Sequence, residues 1–273
     1  MFTKFNAILL AHTVYKNEES TEWVTFVHGA GGSSTLWFKQ LREFRKHFNI
    51  LLLDLRGHGR SKNNLKSLFE KRYTFASVAK DVIEVLDGLN IQKTHFIGMS
   101  LGTIVIRQLA EDYADRFQSM IMGGAIMKMN YQSRFLMTVG NMFKHVIPYL
   151  LLYKIFAFAI MPKSAHKESR NLFINEAKKL YQKEFLKWFK LTADINPLLK
   201  WFREVELNIP TLYIMGNEDY MFLPAIQKLI KTHTKYSKLV VIEDCGHVVN
   251  VDQPTIFNQK VIEYINQIIS KNK

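Results

Sequence analysis

Six short apolar runs, set off by turn-forming residues, constrain this chain more than any other feature. They are Trp23–Val27, Ile50–Leu53, Thr94–Ile97, Ser119–Met122, Thr211–Met215 and Leu239–Ile242. Each is apolar on both faces, as a strand must be when helices cover a parallel sheet from both sides. Helical segments lie between them: Trp37–His47, Phe75–Leu89, Leu101–Tyr113, Pro224–Thr232 and Pro254–Ser270. Strands alternating with helices of this length predict an α/β fold with a mostly parallel, doubly wound sheet. Residues 5–15 partly alternate and predict a short antiparallel opening strand. The alternation stops after Gly124 and resumes at Pro210. The intervening stretch reads as short helices broken by Pro148, Pro162 and Pro197. The expected organisation is therefore one core, residues 1–124 and 207–273, with residues 125–206 inserted into it.

Composition agrees with a folded chain. At 273 residues and 48% hydrophobic content it can bury a sizeable core. The one cysteine, Cys245, excludes an internal disulfide and any multi-cysteine metal site, and reads as a small buried residue. The apolar stretch Ala7–Ala11 is too short for a signal-peptide core. Val146–Met161 is broken by Pro148 and Lys154 and falls short of a membrane span. A soluble, cytoplasmic protein is the expectation.

The net charge of +13 raises nucleic acid, anionic membrane and acidic substrates as partners. No helix-turn-helix, RNA-binding or zinc-finger pattern accompanies it, so nucleic acid is not expected. The excess is also uneven. Residues 125–206 hold 14 Lys+Arg against 6 Asp+Glu, and the rest of the chain holds 23 against 18. Amphipathic helices with solvated lysines account for this pattern. The sharper reading is attraction of an anionic or amphiphilic acyl substrate, or transient rest on an anionic membrane.

Chemistry concentrates at THFIGMSLGTIVIRQLAEDYA, residues 94–114. A strand runs into Gly98-Met99-Ser100-Leu101-Gly102, and a helix follows at once. A serine bracketed by glycines on a sharp strand-to-helix turn is the nucleophile-elbow arrangement. Bulkier residues at 98 and 102 would crowd the turn, and the Leu101 N–H lies where a helix N-terminus favours developing negative charge. The five residues alone also fit an ordinary turn with a helix-capping serine.

A serine hydroxyl needs a base, and the base needs an orienting carboxylate. Asp219 follows the TLYIM strand and His247 follows the next one, so both sit at the strand ends where Ser100 sits. The order Ser100, Asp219, His247 is the order this elbow expects. Glu218 competes with Asp219 for the acid, and His58, in RGHG at the same sheet edge, is the rival base. His12, His47, His95, His145, His166 and His233 read as surface or packing residues.

An oxyanion also needs a second N–H. The first apolar run ends in His28-Gly29-Ala30-Gly31-Gly32, and Ala30 is the candidate donor. A competing reading takes Gly29-Ala30-Gly31 as a dinucleotide loop with Asp54 as the ribose-binding acid. It lacks the third glycine and leaves DLRGHGRS at 54–61 unexplained.

Taken together, HGAGGSSTLW (28–37), DLRGHGRS (54–61), GMSLG (98–102), GNED (216–219) and CGHVVNVDQP (245–254) resemble the α/β-hydrolase superfamily, in particular its lidded serine esterases, lactonases and carbon–carbon hydrolases. The resemblance implies Ser100 as nucleophile, His247 as base, Asp219 as orienting acid, and Ala30 and Leu101 as backbone oxyanion donors. It implies no metal and no cofactor, and a helical cap at residues 125–206. One departure is Thr103, where many members carry a further glycine. The expected function is hydrolysis of a small-molecule ester, thioester or lactone through an acyl-enzyme. Cleavage of carbon–carbon bonds in dienoic diketones, or ligand sensing with slow turnover, are the alternatives. A homodimer is compatible with the hydrophobic cap.

Overall fold

The computed structural model describes residues 10–63, 72–144, 146–193 and 195–271. Seven strands form one sheet: β1 His12–Tyr15, β2 Trp23–Val27, β3 Asn49–Leu53, β4 Thr94–Met99, β5 Phe117–Gly123, β6 Thr211–Gly216 and β7 Ser237–Ile242. Their order is β1-β3-β2-β4-β5-β6-β7, with β1 antiparallel to β3 and every other pairing parallel. The opening strand is thus present, restricted to four residues; the part of that expectation on residues 5–9 lies outside the described residues.

Strand side chains divide by parity, as the pleat requires. Ile50, Leu52, Leu212 and Ile214 join one buried cluster, whereas Leu51, Leu53, Tyr213 and Met215 join the other. Helices α1 (Phe38–Phe44) and α11 (Pro254–Lys271) cover the first face through Phe44, Phe257, Val261 and Ile265. Helices α2 (Phe75–Gly88) and α3 (Leu101–Asp112) cover the second through Val78, Val82, Ile104 and Val105. Helix α2 begins at a reciprocal capping box between Thr74 and Ser77. The expected helix at Trp37–His47 opens instead as a 3-10 turn, Ser34–Trp37. Ser33 caps that turn by accepting the Thr35 N–H.

Between β5 and β6 the described residues form five α-helices, α4 Tyr131–Phe143, α5 Tyr149–Ile160, α6 Lys167–Ala177, α7 Gln182–Ala193 and α8 Ile195–Glu204, with a 3-10 turn at Ser164–His166. The prolines act as read from the sequence at two breaks. Pro148 sits at the N-cap of α5, and Pro162 follows its end. Pro197 instead falls inside the first turn of α8, where the missing N–H has no intrahelical partner to lose. A small aromatic cluster of Tyr153, Phe185 and Phe189, with Leu152, Ala177 and Leu180, gives these helices a core of their own. After β6 come α9 Leu223–Leu229 and the single turn α10 Val249–Asp252.

Candidate active site

Ser100 occupies the one-residue joint between β4 and α3, with φ 54° and ψ −119°. That is a left-handed backbone which an L-residue holds only under constraint from its surroundings. The glycines supply the room. A Cβ on Gly98 would lie 2.8 Å from the Gly102 carbonyl carbon, and one on Gly102 would press into the Val27 carbonyl oxygen. Ser100 N–H donates to Gly123 O of the neighbouring strand at 2.9 Å, which pins the joint to the sheet. Thr103, the departure noted in the sequence, also fastens it. Its hydroxyl donates to Ser100 O at 2.6 Å and accepts the Ile126 N–H at 3.4 Å, tying the elbow to the start of the inserted segment.

Three side chains distant in sequence meet here. His247 Nε2 lies 2.8 Å from Ser100 Oγ, and His247 Nδ1 lies 2.7 Å from Asp219 Oδ2. The other carboxylate oxygen, Asp219 Oδ1, accepts the Phe222 N–H at 3.1 Å. Asp219 is fully buried and His247 nearly so. Glu218, the competing acid, turns away: it takes Lys163 Nζ at 2.5 Å and His166 Nε2 at 2.8 Å. The lysine hydrogen bond, reinforced by His166 and opposed by partial burial, holds the Glu218 carboxyl below its ordinary range.

The rival base His58 is also committed elsewhere. Its Nε2 accepts the Gly31 N–H at 3.0 Å, and its Nδ1 lies 3.1 Å from Arg56 O. That pairing requires a neutral ring protonated at Nδ1. Burial, with the neighbouring His28 adding to it, pushes the His58 pKa down to about 3. His28 repeats the arrangement, with Nδ1 2.8 Å from Gly29 O and Nε2 accepting the Leu55 N–H at 3.0 Å. Burial lowers its pKa too. Two neutral histidines therefore clamp the loop at 29–32 onto the loop after β3.

Asp54 completes this support. Its carboxylate accepts the N–H of Ser34 at 2.7 Å and of Arg60 at 3.0 Å. Burial would raise its pKa, but these amides outweigh it and the carboxyl titrates below its ordinary range. With both oxygens engaged, Asp54 is not presented to a ribose, and the dinucleotide reading loses its acid. The Arg56–Asp81 pair, 2.6 Å apart and buried, anchors the same loop to α2.

The loop clamps decide which amides remain available. Gly31 N–H goes to His58, Gly32 N–H to Gly29 O, and Thr103 N–H to Ser100 O. Among the described residues the N–H groups of Ala30 and Leu101 have no protein acceptor, and both residues border the cavity beside Ser100. That cavity measures about 160 Å³. Its walls include Leu136, Tyr153, Phe156, Phe185, Trp188 and Phe189 from the inserted helices, and among the described residues no charged one lines it. Cys245 is buried, with desolvation raising its thiol pKa, so it is not a competing nucleophile.

Three contacts seat the inserted helices, and sequence reasoning had pointed to none of them. Glu176, on α6, accepts the Ser33 hydroxyl at 2.7 Å. Glu184, on α7, is buried against the Tyr73 hydroxyl and pairs with Lys187 at 3.1 Å. Trp188 Nε1 donates to Arg56 O at 3.1 Å. An acid in an otherwise basic stretch was the available signal, but it does not name a partner more than a hundred residues away.

A family profile described as "alpha/beta hydrolase fold" matches residues 22–144. The chain is 26% identical over 260 residues to a protein named putative carbamate hydrolase RutD from Acinetobacter baylyi, covering 91% of this chain and 95% of that one. It is 27% identical over 244 residues to 3-oxoadipate enol-lactonase 2 from the same organism, covering 86% and 85% respectively. Among solved structures, a thermophilic esterase from Thermogutta terrifontis superposes with TM-score 0.78 at 20% identity, over 95% of this chain and 93% of that chain. The enol-lactonase from Burkholderia xenovorans superposes with TM-score 0.76 at 18% identity, over 94% and 96%.

Proposed function

We propose that this chain, similar in fold and sequence to α/β-hydrolases, cleaves a small-molecule carboxylic ester, thioester or lactone through a Ser100–His247–Asp219 triad. The observation carrying this reading is the unbroken hydrogen-bond line from Asp219 Oδ2 through His247 to Ser100 Oγ, with links of 2.7 and 2.8 Å. In this mechanism His247 Nε2 takes the Ser100 proton as Oγ attacks the carbonyl carbon, while Asp219 holds the ring in the Nδ1–H tautomer. The oxyanion is held by the N–H groups of Ala30 and Leu101. His247 returns the proton to the leaving oxygen or sulfur, the acyl group stays on Ser100, and water releases it by the same steps in reverse order.

Residues 125–206 act as the cap in this reading. Their apolar, uncharged walls favour an aliphatic or aromatic acyl group, so any preference for an anionic substrate would come from the basic exterior acting at a distance. A lactone falls within the class, and two of the similar proteins are named for lactone hydrolysis.

The test is hydrolysis of p-nitrophenyl esters of graded acyl length, beside Ser100→Ala, with fluorophosphonate labelling and peptide mapping. Ser100→Ala is expected to lose about 10⁴- to 10⁶-fold in kcat, and the label should map to Ser100. Labelling at another residue, or turnover that survives the substitution, would overturn the mechanism.

A further inference from the structure

Helix α5 is apolar on both sides, yet only one side is covered. Its exposed positions are Leu151, Lys154, Ile155, Phe158 and Ala159, spaced so that they form one stripe. The opposite stripe, with Leu152, Tyr153, Phe156 and Ala157, turns inward, and Tyr153 and Phe156 reach the cavity. Helix α4 adds large apolar side chains to a mixed outer side that also exposes Gln132, Arg134, Thr138 and Asn141: Tyr131 is 89% exposed, Phe135 68% and Met142 66%, and Val146, just beyond it, is 81% exposed. Single exposed apolar residues are ordinary on a protein surface, but so many large ones on two successive helices are not.

The charge carried by these two helices and their flanks has one sign. No Asp or Glu occurs between Asp115 and Glu168, whereas Lys128, Arg134, Lys144 and Lys154 all fall in that interval. Among the described residues Lys128, Arg134 and Lys154 form no ion pair. A second copy of the chain seated on this face would bring cations against cations without an acid to separate them. An anionic lipid surface supplies both the opposite charge and the apolar layer that these side chains lack.

We propose that the outer face of α4 and α5 docks reversibly on an anionic lipid bilayer. Phe135, Leu151, Ile155 and Phe158 enter the interface, and Arg134, Lys144 and Lys154 engage the headgroups. The contact is peripheral, since among the described residues no helix is long and apolar enough to cross a membrane. Docking would put the cavity, walled by the inner side of the same helix, one helix diameter from the lipid. An amphiphilic substrate dissolved in the bilayer would then have a short path to Ser100. The docking itself does not depend on the chemistry proposed at Ser100.

The experiment is flotation of the full chain with phosphatidylcholine vesicles, with and without about 30% phosphatidylglycerol. The wild-type protein and Ser100→Ala should float with the anionic vesicles alike, release as salt rises, and bind neutral vesicles weakly. The exposed double substitution Phe135→Glu/Ile155→Glu should lower the bound fraction by about tenfold, with an unchanged thermal midpoint showing that it folds. Absence of binding to anionic vesicles, or equal binding by the double variant, would overturn the proposal. So would a concentration-dependent dimer, seen by sedimentation velocity, that the double variant dissolves while vesicles capture nothing.

Discussion

Below the cavity, the loops at the carboxyl ends of β2, β3, β4, β6 and β7 hold His28, Asp54 and His58, hydrogen-bonded to loop backbone, and Ser100, Asp219 and His247, hydrogen-bonded to one another. Above it, α4–α8 present aromatic and aliphatic walls with no charge among the described residues, and Glu176, Glu184 and Trp188 tie them to the core. The lower half therefore sets geometry to a few tenths of an ångström, because a buried polar atom without its partner is costly. The upper half sets volume, where exchanging one apolar side chain for another is tolerated far better. In the proposed reaction the first region would set the reaction type and the second the substrate size.

The sharpest way to break that division is to exchange the roles of two adjacent acids. Asp219→Asn should lower kcat by about 10⁴-fold, because an amide no longer holds His247 in the required tautomer. Glu218→Gln should leave kcat within about threefold, because that side chain only ties Lys163 and His166 to the seam. Comparable losses in steady-state assays of the two variants would show that the acid has been misassigned.

A second test uses the neutral histidines under the cavity. The His58 pKa lies near 3 in the folded protein, below the ordinary value of about 6.5 in the unfolded chain. Above pH 6.5 both states are neutral and contribute no pH dependence. As pH falls from 6.5 toward 3, the unfolded chain binds a proton that the folded chain refuses, so stability falls. The slope is up to about 1.4 kcal/mol per pH unit for this one group. His58→Gln, whose amide oxygen can still accept the Gly31 N–H, should remove that part of the slope in denaturant unfolding measured between pH 6.5 and 4. An unchanged slope would mean that the His58 ring is not kept neutral.

The smallest expected effect concerns the upper half. Trp188→Ala enlarges the cavity and removes the hydrogen bond to Arg56 O. It should shift the preferred p-nitrophenyl ester toward longer acyl chains, by about tenfold in relative kcat/KM. Loss of activity on every chain length alike would place Trp188 in the positioning machinery and blur the contrast drawn above.

The two halves also differed in how far the sequence revealed them. Glycine-bracketed turns and apolar runs are local signals, and each strand end declared itself within a few residues. Ser100, Asp219 and His247 became a candidate set because parallel strands deliver their carboxyl ends to one edge. His58 shows the limit of that logic. It lies at the same edge as the triad, and its contacts to Gly31 N and Arg56 O, at 3.0 and 3.1 Å, show that both ring nitrogens are committed elsewhere. Thr103 was legible as a departure, but its hydrogen bond to Ser100 O was not.

Periodicity and turn chemistry determined the sheet, its helices, the elbow and the chain order of the candidate triad, because these depend on neighbours a few positions apart. Tertiary structure alone decided that Glu218 turns to Lys163 and His166, that His28 and His58 are clamps, and that buried acids on α6 and α7 seat the upper helices. It also decided that the basic residues of the inserted segment stay off the cavity walls. Each of these depends on which of two adjacent side chains points inward and on which distant atom it meets, and no local pattern encodes that choice.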